Sequence, residues 1–322
     1  MPRTTYQRGL HDLGNSVYAY MQPDGSWGWS NAGLVVDGDQ AMLIDTLFDL
    51  VLTREMLDEM AGVNPAARSI DIVVNTHANG DHCWGNQLIA GARIIASRTS
   101  ATEMRELPPQ MLAQMLAAAP TMGLLGRYIT AVFGRFDFRD IQLTPPTETF
   151  DKELTLHVGS KEVRLVDVGP AHTRGDVLAY IPADRVVFTG DILFHDIHPV
   201  IWAGPVENWI RACRYILDLD VTVVVPGHGP LADKNSVRRM QEYLELILTE
   251  GRARFEAGQS VAQAARDIPL GEFATWSESE RLFVNMVAIY RQLGASDLPS
   301  DPITLFSAMA ELAREKGLYG LS

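Results

Sequence analysis

The sequence predicts an α/β protein in which two sheets pack face to face with helices outside them. Three observations point there. Short β-branched runs alternate with helical patterns through the first two thirds of the 322 residues. From about residue 232 onward only helical patterns follow. His and Asp recur beside Gly or Pro where apolar runs stop, and the ends of strands are where α/β proteins place their sites.

Taken in order, Ala32–Asp37 and Ala41–Asp45 are apolar runs joined by Gly38-Asp39, a hairpin signal. Residues 52–61 read as a helix with Leu52, Met56 and Met60 among charges. Ile70–Asn75 is a buried-strand pattern, followed by an expected helix over 81–90 and a strand over 92–96. Residues 98–137 change character: Pro108-Pro109 precedes an Ala-, Leu- and Met-rich helical stretch broken at Pro120 and Gly123. That stretch is either a packed helical hairpin or an apolar lid over a substrate pocket, since Met adapts its shape to ligands. Strands are expected over 154–158, 163–168, 177–181, 185–188 and 221–225, with a helix over 206–217. Helices are expected over 233–256, 260–267, 277–293 and 303–316. The expected division is a catalytic domain over 1–235, with its helical insertion at about 98–137, and a C-terminal helical extension over 236–322 packed on it.

Composition narrows the function. With 27 Lys and Arg against 40 Asp and Glu, the net charge is −13. Such a chain repels phosphate backbones, so nucleic acid is not an expected partner. Two cysteines, Cys83 and Cys213, are too few for a disulfide framework and fit a reducing compartment. No run approaches the roughly 20 apolar residues of a membrane span, and the N-terminus lacks a signal-peptide core. The expectation is a cytoplasmic protein with a small-molecule substrate. Leu282, Phe283, Met286, Val287 and Tyr290 share one helical face, which suits either a homodimer contact or the protein's own core.

The decisive segment is Asn75-Thr-His77-Ala-Asn79-Gly-Asp81-His82-Cys-Trp-Gly85-Asn86. Two histidines and an aspartate fall within six positions, and both residue types are ligands for zinc-type and iron-type ions. Three further signals each end a strand: Gly169-Pro-Ala-His172, Thr189-Gly190-Asp191 and Pro226-Gly227-His228.

This ordered set resembles the metallo-β-lactamase superfamily, whose first signature is His-x-His-x-Asp-His, followed by a lone His, a lone Asp after Thr-Gly, and a final His. The resemblance runs from about Leu34 to Pro230, with one departure: Asn79 stands where a second His is expected. It implies an αββα sandwich with metals at one edge of the two sheets. His77 and His172, with Asn79 at the altered position, would hold the first metal. Asp81, His82 and His228 would hold the second, and Asp191 would bridge. The cofactor is then one or two Zn2+, with iron or manganese accepting the same ligands. A neutral amide is a weaker ligand than imidazole, so the second site is expected to be the better occupied. A metal-bound water or hydroxide would be the nucleophile, with Asp81 and Asp191 as the catalytic carboxylates. Asp45 and Asp176 resemble positions that orient ligand histidines.

Other residues carry competing expectations. His195 and His198 lie just past Asp191 and either line the substrate pocket or bond to backbone. Trp84 and Trp202 are core or pocket wall. Trp27 and Trp29 sit in a Gly-containing turn, facing an apolar substrate or packing a corner. Cys83 directly follows a ligand, and adjacent helical side chains diverge by about 100°, so it is not expected to bind metal. Arg174 is a surface ion pair or a contact for an anionic substrate. The function expected is hydrolysis of a small, fairly apolar ester, thioester, lactone or activated carbon–halogen bond. The alternatives are a polyketide-type cyclase or thioesterase, and a non-catalytic metal- or ligand-binding protein.

Overall fold

In the computed structural model, which describes residues 6–89 and 91–321, four antiparallel strands open the chain. They are β1 (Gly9–Asp12), β2 (Val17–Met21), β3 (Ala32–Asp37) and β4 (Gln40–Ile44). Helix α1 (Leu50–Val63), capped by the Asp49 side chain on the Leu52 N–H, carries the chain to β5 (Ile72–Val74), which pairs parallel with β4. A short helix, α2 (Gly80–Cys83), leads on to β6 (Arg93–Ser97), parallel to β5. Three helices, α3 (Arg98–Glu103), α4 (Pro109–Ala118) and α5 (Gly123–Phe133), intervene before β7 (Glu148–Phe150) closes this seven-stranded sheet. The second sheet holds β8 (Glu153–Val158), β9 (Lys161–Asp167), β10 (Val177–Ile181) and β11 (Val186–Phe188). Helix α6 (Val206–Asp218) then returns the chain to β12 (Val223–Val225), parallel to β11. Four helices end the chain: α7 (Lys234–Glu256), α8 (Val261–Asp267), α9 (Leu282–Gln292) and α10 (Pro302–Glu315).

The layers follow from the two-residue period of the strands. In β2, Val17, Ala19 and Met21 enter the cluster between the sheets, while Tyr18 and Tyr20 enter the cluster beneath the helices. Val35, Met42 and Ile44 likewise face the inner cluster, with Leu34, Ala41 and Leu43 on the outer side. Strands buried on both faces read as unbroken apolar runs, which is why β3 and β4 are recognisable in the sequence. The architecture is the expected αββα sandwich.

Strands β1, β2 and β7 were not expected, and two of the expected helices end differently. The helix expected over 81–90 stops at Cys83 and continues as a 3-10 turn over Trp84–Leu88, with Ala90 outside the described residues. Its backbone bonds sideways instead of along a helix. The Thr46 N–H and the Asn75 side chain donate to the His82 carbonyl, and the Gly85 N–H donates to Thr46 Oγ1. The helix expected over 277–293 breaks because Glu278 is left-handed, at φ 63°; a 3-10 turn over Ser279–Arg281 precedes α9. Leu282, Met286, Val287 and Tyr290 are buried in the chain's own core, with Phe283 partly so. Helix α10 lies against α5, so the insertion and the C-terminal helices meet. Among the described residues no helix is long and apolar enough to cross a membrane.

Candidate metal centre

The loops after β4, β5, β9, β11 and β12 converge on one point. Asp45 follows β4, His77 follows β5, and Asp81 and His82 lie on α2. His172 lies between β9 and β10, Asp191 in a 3-10 turn after β11, and His228 just past β12. Asp191 is at the middle. His82 Nε2 is 3.1 Å from its Oδ1, while His172, His228 and His77 Nε2 are 3.3, 3.4 and 3.8 Å from its Oδ2. Asp81 Oδ2 lies 3.3 Å from His228 Nε2. His77, His172 and Asp191 form one cluster with metal-ligand spacing, and Asp81, His82 and His228 form another.

Each imidazole is oriented by an acceptor on its far nitrogen. His82 Nδ1 donates to Asp45 Oδ2 at 2.8 Å, and His228 Nδ1 to the Gly25 carbonyl at 3.0 Å. His172 Nδ1 donates to the Val200 carbonyl at 2.7 Å. Thr76 gives its hydroxyl proton to Asp45, so its oxygen accepts from His77 Nδ1 at 3.0 Å. All four Nε2 atoms therefore face Asp191. Among them His77 Nε2 and His82 Nε2 are buried without a hydrogen-bond partner, as is Asp191 Oδ1. Buried polar atoms are normally satisfied. Imidazole nitrogens and carboxylate oxygens aimed at one point, each braced from behind, suit a divalent cation.

The electrostatics agree. Burial lowers the pKa of His77, and nearby imidazoles reinforce it, so it lies well below the usual value; burial likewise lowers His172 to about 4. Burial opposes protonation of His82 and His228 too, but Asp191 and its neighbouring carboxylates outweigh it. They raise His82 well above the usual value and His228 to about 9. For Asp191 burial is outweighed by the surrounding histidines, which hold it well below the usual carboxylate range. The carboxylates draw positive charge to this spot, and a metal ion would supply it in place of those protons.

Two glycines are required by close approach. A Cβ on Gly227 would run into the Asp191 carboxylate. Gly25 has φ 78°, and a Cβ there would lie 2.6 Å from the Gly229 nitrogen. Since Gly25 orients His228, Gly25→Val is expected to lower metal affinity about 10–100-fold, as loss of a ligand's orienting partner does. Competition with a chromophoric chelator measures this, and unchanged affinity would mean the carbonyl does not orient His228.

Asn79 enters differently from the other positions. Its Nδ2 lies 3.0 Å from His172 Nε2, so its N–H occupies the lone pair a metal would need there. Cys83 is buried beside the Ala78 carbonyl and belongs to neither cluster. Asp176 bonds no histidine; it accepts from the Ala171 and Thr173 N–H groups and so shapes the loop carrying His172. Arg174 pairs with Glu103 and Glu106.

A cavity of about 290 Å³ opens onto Asn79, Asp81, His172, Asp191 and His228. Trp84 and Trp202 line it, as does Trp27. Trp29 does not, and packs on Phe136 5.0 Å away. His195 and His198, weighed as pocket residues, do not line it either. His195 bonds the Pro230 carbonyl and the Ser236 hydroxyl, while His198 is buried against the Tyr243 hydroxyl at 2.8 Å. The backbone path from Phe194 turns both rings toward α7, away from Asp191. Sequence reasoning missed Thr76 and the Gly25 and Val200 carbonyls, because a backbone acceptor leaves no mark on residue type. It also missed Arg281, which lines the cavity from far along the chain.

Comparison with known proteins places this geometry in a family. The metallo-beta-lactamase superfamily model matches residues 25–228, well over half the chain. An uncharacterized protein of Mycobacterium leprae is 31% identical over 198 residues, covering 60% of this chain and 81% of that protein. A type 2 metallo-beta-lactamase of a Bacillus species is 22% identical, covering 63% and 68%. Among solved structures, a sec-alkylsulfatase from a Pseudomonas species superposes with a TM-score of 0.68 at 17% identity, covering 90% of this chain. This chain spans 51% of that alkylsulfatase's length. A metallo-beta-lactamase from Pontibacter korlensis gives a TM-score of 0.54 at 20% identity, covering 74% and 99%. The chain belongs to the metallo-beta-lactamase superfamily.

Proposed function

We propose that this chain hydrolyses a small, largely apolar substrate, an ester, thioester or lactone or an activated carbon–halogen bond, above the His/Asp cluster. The observation that carries this reading is the cavity: its floor is the cluster and most of its wall is apolar. Met111, Leu112 and Met115 of α4 form one side, and Leu305 and Phe306 of α10 another. The insertion is thus both a helical hairpin and a wall over the pocket. A purely structural metal needs a closed site; this cluster opens into a chamber, which favours turnover over a non-catalytic role.

Asp81, His82, Asp191 and His228 would hold the better-occupied ion, for which zinc is the proposed identity. A divalent ion there supplies Lewis acidity, lowering the pKa of water toward neutrality and polarising the bond under attack. The chain does the rest. Asp191, kept ionised by its histidines, and Asp81 give the floor its negative charge and would hold the ion there. Phe48, stacked on Trp84 at 5.1 Å, and Trp202 exclude bulk water, which strengthens every charge interaction at the floor. The alkyl sulfate named for the structural relative belongs in the same substrate screen.

Metal content per chain, with turnover of a short thioester and ester panel, tests the proposal; failure to bind zinc would end it. Because Asn79 occupies the His172 lone pair, the untreated protein should hold close to one equivalent, and Asn79→His close to two, by elemental mass spectrometry. Equal content in both would show that Asn79 does not limit the first site. Met115→Trp should fill the far part of the cavity and cut kcat/KM for long acyl chains about tenfold or more while sparing short ones, since overfilled pockets cost about 1–3 kcal/mol. A uniform loss across chain lengths would place the acyl group elsewhere.

A further inference from the structure

Arg281 has no part in the metal cluster, yet it is a buried cation on the wall of an otherwise apolar chamber. Its side chain is 1% exposed, and it lines the same cavity as Asp81, His172, Asp191 and His228. Glu278 beside it is its ion-pair partner, but no hydrogen bond joins the two. Neutral donors hold Glu280, and the single Tyr319 hydroxyl proton reaches either carboxylate. Glu280 Oε1 accepts from Trp27 Nε1 and the Tyr128 hydroxyl, each at 3.0 Å, and the Tyr319 hydroxyl lies 2.6 Å from Glu278 and 2.8 Å from Glu280. Arg281 Nη2 stands 3.6 Å from Glu278, beyond hydrogen-bond reach.

The guanidinium is therefore fixed, paired in charge with Glu278 but with hydrogen-bond donors left over. Nη1 donates to the His198 carbonyl at 3.0 Å, and Nε is buried without a partner. A guanidinium offers five N–H donors, and leaving them unbonded in a buried place is costly. Its Cζ lies 4.1 Å from the Trp27 ring centre and 5.5 Å from that of Phe194. Phe194 in turn lies parallel to the His228 ring, 5.1 Å away. Two aromatic faces thus hold the cation one ring beyond a cluster histidine. Glu103, the other charged residue on the wall outside the cluster, is already paired with Arg174.

From this geometry we infer that Arg281 is the subsite for an anionic group on the substrate, which makes the substrate an amphipathic anion. A carboxylate, remote from the scissile bond by a few carbon atoms, meets the guanidinium while the scissile bond lies over the His/Asp cluster and the apolar body fills the space between. Planar two-point recognition of a carboxylate is what an arginine held flat is suited to. The inference rests on the hydrolase reading of this cavity and adds to it the charge of the substrate.

The test compares two esters of equal length, 4-nitrophenyl hydrogen glutarate and 4-nitrophenyl pentanoate, on the zinc-loaded full chain. The wild type should prefer the anionic ester in KM, and Arg281→Met should reduce that preference about 10–100-fold, the value of a charge-assisted hydrogen bond. General loosening of the pocket would move both esters together, and an unchanged ratio would overturn the inference. Glu278→Gln removes the competing carboxylate and should increase the preference; it carries the test if Arg281→Met does not fold, and an unchanged ratio there also counts against the proposal. If the wild type cleaves neither ester, the hydrolase reading is at fault. Titration of hexanoate against hexan-1-ol, followed by tryptophan fluorescence, then decides the anion site alone. Binding of hexanoate in the wild type that is weakened at least tenfold in Arg281→Met supports it, and equal binding in both overturns it.

Discussion

Replacing His82 by alanine is expected to remove the better-held metal and lower kcat/KM on the order of 10³-fold, because the ion supplies several kcal/mol of charge stabilisation. His82 has no substitute nearby. Its Nε2 is 3.1 Å from Asp191 Oδ1, and its Nδ1 is 2.8 Å from the buried Asp45. Asp45 also receives the Thr76 backbone N–H at 2.7 Å and the Thr76 hydroxyl at 2.6 Å, and through that hydroxyl it positions His77. One carboxylate thus braces a histidine of each cluster. Asp45→Asn should show a graded loss of about 10–100-fold in metal affinity. Metal analysis and rate measurements on the same samples test both variants. Metal-free His82→Ala protein that still turns over substrate would sink the mechanism.

The cluster was legible in the sequence because its members fall in the loops and short turns that follow strands, with a glycine or proline close to most of them. Gly227 shows why such a mark is informative: the strand can deliver His228 only if nothing at 227 displaces Asp191. The αββα layering was legible for a similar reason, since strands buried on both sides leave unbroken apolar runs. The helix after His77 was misjudged because its bonds run to Thr46 and Asn75, on other strand ends, and no local pattern records that. The occupation of His172 by Asn79 joins residues 93 positions apart. Arg281 follows the same rule: its meaning comes from Trp27 and Phe194 on distant segments. Residue types at strand ends told where a metal would sit, but not what surrounds the rest of the substrate.

Glu280→Ala should be the most destabilising single change outside the cluster, at about 3–5 kcal/mol, the usual cost of breaking a buried charged network. Glu280 is fully buried, and its Oε1 gathers donors from three parts of the chain. Trp27 comes from the loop between β2 and β3, Tyr128 from α5 of the insertion, and Tyr319 from the segment after α10. Without the carboxylate Trp27 Nε1 and the Tyr128 hydroxyl stay buried and unbonded, while the Tyr319 hydroxyl keeps Glu278. Trp27 would also no longer be held beneath the Arg281 guanidinium. Glu280→Gln keeps an oxygen for the donors and should cost less than half as much. Urea unfolding measures both. The Trp27 loop also carries Gly25, which orients His228, so the loss should reach the metal: the folded Glu280→Ala protein is expected to bind zinc more weakly than the wild type. Unaltered zinc affinity in a destabilised Glu280→Ala protein would show that the loop holds His228 without help from the C-terminal helices.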